Sequence, residues 1–168
     1  LWTENKEKLP DNIRIVLSDI SDGMIRDVRR NIGMEDSRFS FLTFDCRNIP
    51  FPNQSFDLVI ANHVLFYCDD IPAVCREAAR ILRPGGICST YGKHHMQEIS
   101  ELTHKFDSRI VLSACNLYEQ FGLENGLAFL EPYFTDIQCL KYHDSIEIDK
   151  SEPLIEYILS CHGNQNQF

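Results

Sequence analysis

Three polar tips, Ser18-Asp19, Asp45-Cys46 and Asn62-His63, carry the residues of this sequence best suited to chemistry, because each follows an apolar run that reads as a strand. In open α/β sheets ligands bind beyond the carboxyl ends of the strands, near the point where strand order reverses. A carboxylate placed like Asp19 can accept two hydrogen bonds from a ribose diol, although the position also suits an acid that caps a helix or closes a loop. Asp45 can accept a hydrogen bond from an adenine amino group, and Asn62-His63 ends the most apolar strand, closest to any reacting centre. Imidazole titrates near neutrality and can act as a general base, yet a histidine taken alone is more often a structural hydrogen-bonder. His94 and His95 are adjacent in a loop, point different ways and chelate poorly, so no metal is expected. Asp107, Asp136 and Asp144 lack the spacing of an acid–base pair and read as solvated surface.

The elements that must position these tips alternate. Leu1 to Leu9 reads as a helix tail ended by Pro10, and Ile13 to Leu17 as a strand. Ser21 or Asp22 then caps a helix with Met24, Ile25, Val28 and Ile32 on one face and Gly33 just past its end. Phe39–Phe44 and Phe56–Ala61 are the next strands, the latter apolar enough to be buried on both faces. Asp69-Asp70 and Pro72 open a helix that Pro84-Gly85-Gly86 stops, before a strand from Ile87 to Tyr91. A helix to about Phe106, another around Glu124 to Leu130, a strand pair at Phe134–Leu140 and Tyr142–Ile148, a helix from Ser151 and a polar, frayed tail over Gly163–Gln167 complete the reading. Strands alternating with helices imply a mostly parallel sheet in one domain.

Composition excludes several classes. With 168 residues, 43% hydrophobic, the chain is long enough for one ordinary core. A net charge of -9 opposes a nucleic-acid partner, which needs clustered Lys and Arg. No apolar run approaches the ~20 residues of a membrane span, so no membrane is expected. Seven cysteines without a CxxC pair read as thiols in a reducing cytoplasm rather than zinc ligands or a disulfide framework.

In order and spacing, Ser18-Asp19-Ile20-Ser21-Asp22-Gly23-Met24, Ile49-Pro50-Phe51, Phe56-Asp57-Leu58-Val59-Ile60-Ala61-Asn62-His63 and Arg80-Ile81-Leu82-Arg83-Pro84-Gly85-Gly86 resemble the class I S-adenosylmethionine-dependent methyltransferases. Thr90-Tyr91-Gly92-Lys93-His94-His95-Met96 and Leu123-Glu124-Asn125-Gly126 resemble a bacterial small-molecule branch of that family. The resemblance implies a Rossmann-like α/β fold: a mostly parallel sheet ordered 3-2-1-4-5-7-6 with flanking helices and an antiparallel edge strand. It implies S-adenosyl-L-methionine as cofactor and a small-molecule methyl acceptor. Asp19 would bind the ribose hydroxyls with Ile20 beside the adenine, Asp45 and Cys46 would meet the adenine edge, and Asn62 would lie near the methionine part. His63, Tyr67 and His95 would face the acceptor, with His63 or His95 as base where the acceptor must lose a proton.

Two departures stand out. Where this branch carries a histidine after Leu-Tyr, the chain has Leu65-Phe66-Tyr67, and the family's first strand with its glycine-rich loop is absent. That strand is the centre of the family sheet, and each buried backbone group left unpaired beside it costs ~1–3 kcal/mol. The chain therefore reads as one incomplete domain over 1–168, truncated at its amino terminus, impaired in cofactor binding, and completed either by its second and fourth strands meeting directly or by a second copy in a homodimer. Two other classes remain alternatives: an inactive fragment or binding module, and an NAD-dependent oxidoreductase, which also places an acid after its second strand.

Overall fold

The computed structural model describes residues 2–33, 35–83, 85–110 and 112–161, leaving aside the side chains of 113–115. Leu1, Pro84, Cys115 (its side chain) and the 163–167 tail, all used above, lie outside that description. In chain order the elements are α1 (Trp2–Asn5), β1 (Ile15–Asp19), α2 (Asp22–Ile32), β2 (Phe39–Thr43), β3 (Val59–Asn62), α3 (Ile71–Ile81), β4 (Gly86–Ser89), α4 (Gln97–Phe106), α5 (Gly126–Leu130) and α6 (Ser151–Ser160). Short 3-10 helices occupy Lys6–Lys8, Leu65–Tyr67 and Ser113–Glu119. This is the α/β alternation expected from the sequence.

Local signals fix the helix ends. The Ser21 hydroxyl accepts the Met24 N–H at 3.4 Å to open α2, Asp22 lies in its first turn, and Arg29 and Arg30 lie in its last, where cations oppose the helix dipole. Gly33, at φ 93°, takes a backbone conformation that a side chain would resist and ends the helix. Ile25 and Ile32 are buried, whereas Met24, expected on the same face, is exposed. Asp70 caps α3 by accepting the Ala73 N–H at 2.9 Å, and Ile71, Val74, Cys75 and Ile81 turn inward.

The strands form two parallel ladders. β1 pairs with β2, Ile15 opposite Phe39 and Asp19 opposite Thr43; β3 pairs with β4, Val59 opposite Gly86 and Asn62 opposite Ser89. No ladder joins β1 to β3, so the first of the two expected ways of completing the sheet, a direct meeting of these strands, does not occur and the parallel pairing is divided in two. Nor is there an antiparallel edge strand: among the described residues, 134–148 is irregular, bends at 135–136 and joins no ladder. Apolar residues on either side of a brief polar break do not suffice there, because a strand also needs a partner and a face to bury. Leu140 and Tyr142 are 87% and 88% exposed. Burial first and then the nearby Cys139 thiol of this segment push the Cys88 thiol of β4 up.

The core lies against the second ladder. Leu65, Phe66, Ile71, Val74, Cys75 and Phe121 are buried together, with Cys46, Ala61, Tyr91 and Phe134 packed around them. Arg80 of α3 ties the ladders' connecting loop to this core: its guanidinium donates to Glu77, to the carbonyls of Ile49 and Phe51 and to Asn53, while Glu77 Oε2 accepts the Ile49 N–H. Rings continue the tie, Phe51 meeting Phe56 edge-on at 4.9 Å. Ile49-Pro50-Phe51 and the arginine that opens the Arg80–Gly86 stretch thus belong to one structural unit, with Glu77 between them.

Candidate functional site

The polar tips stand at the carboxyl ends of the ladders. Asp19 closes β1; its Oδ1 accepts the Ser21 N–H at 2.8 Å, and its carbonyl accepts the Phe44 N–H from the end of β2. Oδ2 is not used in that turn. Beside it Ile20 is 69% exposed, which leaves an acid next to an open apolar surface. The Thr43 hydroxyl at the end of β2 donates to Asp22 Oδ1 at the start of α2, at 2.5 Å.

Asp45 is engaged differently. Arg47 Nε and Nη2 grip both carboxylate oxygens at 2.7–3.0 Å, and the Arg47 N–H donates to Oδ1. The guanidinium bond holds the Asp45 carboxyl below its ordinary range, despite some desolvation. The same arrangement recurs in Asp36-Ser37-Arg38 and Asp107-Ser108-Arg109, whose carboxyls fall to about 2 for the same reason. An Asp-x-Arg triplet closing on itself is the signal that sequence reasoning missed. Next to Asp45, Cys46 Sγ lies 3.7 Å from Cys68 Sγ, so the loop after β2 meets the turn after β3.

At the second ladder's carboxyl end the rings gather. Asn62 Oδ1 accepts the Ser89 hydroxyl at 3.2 Å, tying β3 to β4 at their tips. His63 has φ 49°, a left-handed conformation uncommon for a side-chain-bearing residue, and its N–H donates to the Ser89 carbonyl. Its ring lies 6.2 Å from Tyr91 at 27°; His95 stacks on the same Tyr91 at 4.3 Å and 27°. Phe66 packs on Tyr91 at 5.1 Å and meets Tyr67 at 4.7 Å. His63, Tyr67 and His95 therefore share one aromatic cluster, organised by Tyr91, which the motif reading did not single out. Burial first, and His63 second, lower the His95 pKa, so its imidazole is neutral and able to accept a proton at pH 7.

The loop carrying His95 is held from the carboxyl half. Glu124 Oε1 accepts the Lys93 N–H at 3.1 Å, the Leu123 N–H donates to the Tyr91 carbonyl, and the Thr90 hydroxyl donates to the Phe121 carbonyl. His94 turns away to Gln97, 2.6 Å distant, so the adjacent imidazoles diverge. Among the described residues, no three His, Cys, Asp or Glu side chains are grouped to hold a metal, and no helix is long and apolar enough to cross a membrane.

A family model described as a methyltransferase domain matches residues 4–90. The chain is similar to malonyl-[acyl-carrier protein] O-methyltransferase of Serratia marcescens, 26% identical over 140 residues, covering 82% of this chain and 53% of that protein. It is 36% identical over 101 residues to a ubiquinone/menaquinone biosynthesis C-methyltransferase of Xanthomonas oryzae, covering 58% of this chain and 37% of the relative. A biotin biosynthesis bifunctional protein of Saccharophagus degradans is 30% identical over 99 residues, 58% of this chain and 18% of its own. The chain thus spans about half, or less, of the length of these relatives.

Proposed function

Because the chain belongs to the methyltransferase-domain family, we propose that the protein transfers a methyl group from S-adenosyl-L-methionine to a small-molecule acceptor. The observation that carries this reading is the Asp19 carboxylate at the carboxyl end of β1 beside the exposed side chain of Ile20. An acid next to an open apolar surface suits a nucleoside, whose diol donates hydrogen bonds and whose base offers a flat apolar face. In this reading Asp19 holds the ribose hydroxyls and Ile20 lies against the adenine. Asp45 and Cys46 border the adenine edge, where the amino group competes with Arg47 for the Asp45 oxygens. Asn62 lies toward the methionine part.

The bound cofactor supplies an electrophilic sulfonium methyl. The protein's work is positioning: holding acceptor and methyl in line can supply much of the rate without one decisive residue. Tyr67, His63 and His95 form the acceptor side, and a neutral His95 can take the acceptor's proton.

The described residues fit the nucleoside half of the cofactor better than its methionine half. We infer that the protein's sheet includes a further parallel strand between β1 and β3, from chain beyond these residues or from a second copy in a homodimer. That β1 and β3 each carry a ladder on one side only supports this inference. The 168-residue chain alone then binds the cofactor weakly and acts, at most, as a non-catalytic α/β module. The six described cysteines, all free, favour a cytoplasmic setting.

The test is turnover by the full-length protein with methyl-labelled S-adenosylmethionine and a small-molecule cell extract. Extract-dependent release of S-adenosylhomocysteine, lost in Asp19→Ala, is expected. Release that ignores the extract, or that survives the substitution unchanged, would overturn the assignment.

A further inference from the structure

We propose that Cys46 and Cys68 form a reversible dithiol–disulfide pair, a modification site that takes low-molecular-weight disulfides as its oxidant. Their sulfurs are 3.7 Å apart and part-buried, already in contact as thiols. A disulfide bond is ~2.05 Å long, so each sulfur has to swing by less than about 1 Å for the bond to form. Neither cysteine is held in a ladder or a helix interior. Cys46 sits in the turn after β2, and Cys68 closes the 3-10 turn Leu65–Tyr67, where its Sγ also lies 3.5 Å from the Val64 carbonyl. Both thiols pack against the core formed by Leu65, Phe66 and Phe121, so the closure is a small side-chain rotation rather than a backbone movement.

The chemistry is two successive exchanges. The Cys46 thiolate attacks one sulfur of the small disulfide, forming a mixed disulfide and expelling one thiolate. Cys68 then loses its proton and attacks the Cys46 sulfur, forming the internal bond and expelling the second thiolate. The two protein thiols are oxidised by two electrons, the small disulfide is reduced to two thiols, and the two protons pass to them. Burial first, and then the proximity of Cys46, push the Cys68 thiol up to about 12, so Cys68 is the poorer attacker of a small disulfide and Cys46 makes the first attack; the second step proceeds because the two sulfurs are already in contact.

The bond would fasten the loop that carries Asp45 to the turn that carries Tyr67, closing a loop across 22 positions of sequence. This proposal stands on the thiol geometry and is independent of the methyl-transfer reading. Its test is incubation of the full chain with oxidised glutathione, alkylation of remaining thiols under denaturing conditions, and peptide mapping. A Cys46–Cys68 linked peptide is expected, reversed by dithiothreitol, abolished in Cys46→Ser and kept in Cys88→Ser. The oxidised chain should also melt several degrees higher, because the cross-link restricts the unfolded state. Differential alkylation of the unsubstituted chain gives the answer even where a variant fails to fold. Recovery of both cysteines as alkylated thiols, a stable glutathione adduct at Cys46 without the link, or preferential oxidation of Cys88 or Cys139 would overturn it.

Discussion

His63, Tyr91 and His95 show how much a residue's meaning depends on neighbours that the sequence hides. Each histidine alone was ambiguous, but stacking on one tyrosine makes them a unit. In the proposed reaction His95 is a base with a lowered pKa and stays competent at lower pH, so the acid limb of the rate profile should fall below the ordinary imidazole range near 6.5. Replacing both His63 and His95 with alanine should reduce turnover by about 10²-fold or more; unchanged turnover would remove them from the proton path. The place of Asp19 at the carboxyl end of β1 was legible because a strand end has a defined position in an α/β fold. The state of Asp45 was not, because the Asp45-Arg47 clamp is a two-residue event that looks like any charged pair in a loop.

At the scale of elements, the helices were read best. Their caps are local: Ser21, Gly33 and Asp70 act within four residues of where they stand. The failed edge strands over 134–148 show the converse, since a ladder depends on a partner that no local pattern supplies. The Glu77–Arg80 hub is another long-range feature, joining α3 to the Ile49–Asn53 loop. Hydrogen bonding from Arg80 lowers the Glu77 carboxyl from 4.5 to about 2. Since the folded value lies below the unfolded one, its contribution to stability is present above about pH 4.5 and is lost as pH falls toward 2. Glu77→Gln should lower the thermal midpoint at pH 7 by a few degrees, on the order of 2–5 °C. The gap from the unsubstituted protein should close between pH 5 and 2. Asp36 and Asp107 titrate in both proteins and cancel in the comparison; a gap independent of pH would refute the role given to Glu77.

For the whole molecule, the sequence order of motifs carried the family, the α/β class and the four parallel strands. It could not say how two ladders that do not pair with each other are held, because that depends on the Arg80 hub, the Phe51–Phe56 contact and the meeting of Cys46 with Cys68. It also left open the fate of the unladdered edges of β1 and β3, where a further strand is proposed to complete the cofactor site. The central claim is that these carboxyl-end tips grip an S-adenosyl nucleoside. Calorimetric titration of S-adenosylhomocysteine into the full-length protein tests it most directly, with NAD and the 168-residue chain run alongside. Micromolar binding by the full-length protein is expected, about tenfold weaker or worse in Asp19→Ala, with no binding of NAD and little binding by the isolated chain. Failure of the full-length protein to bind S-adenosylhomocysteine, or binding of NAD in its place, would contradict it.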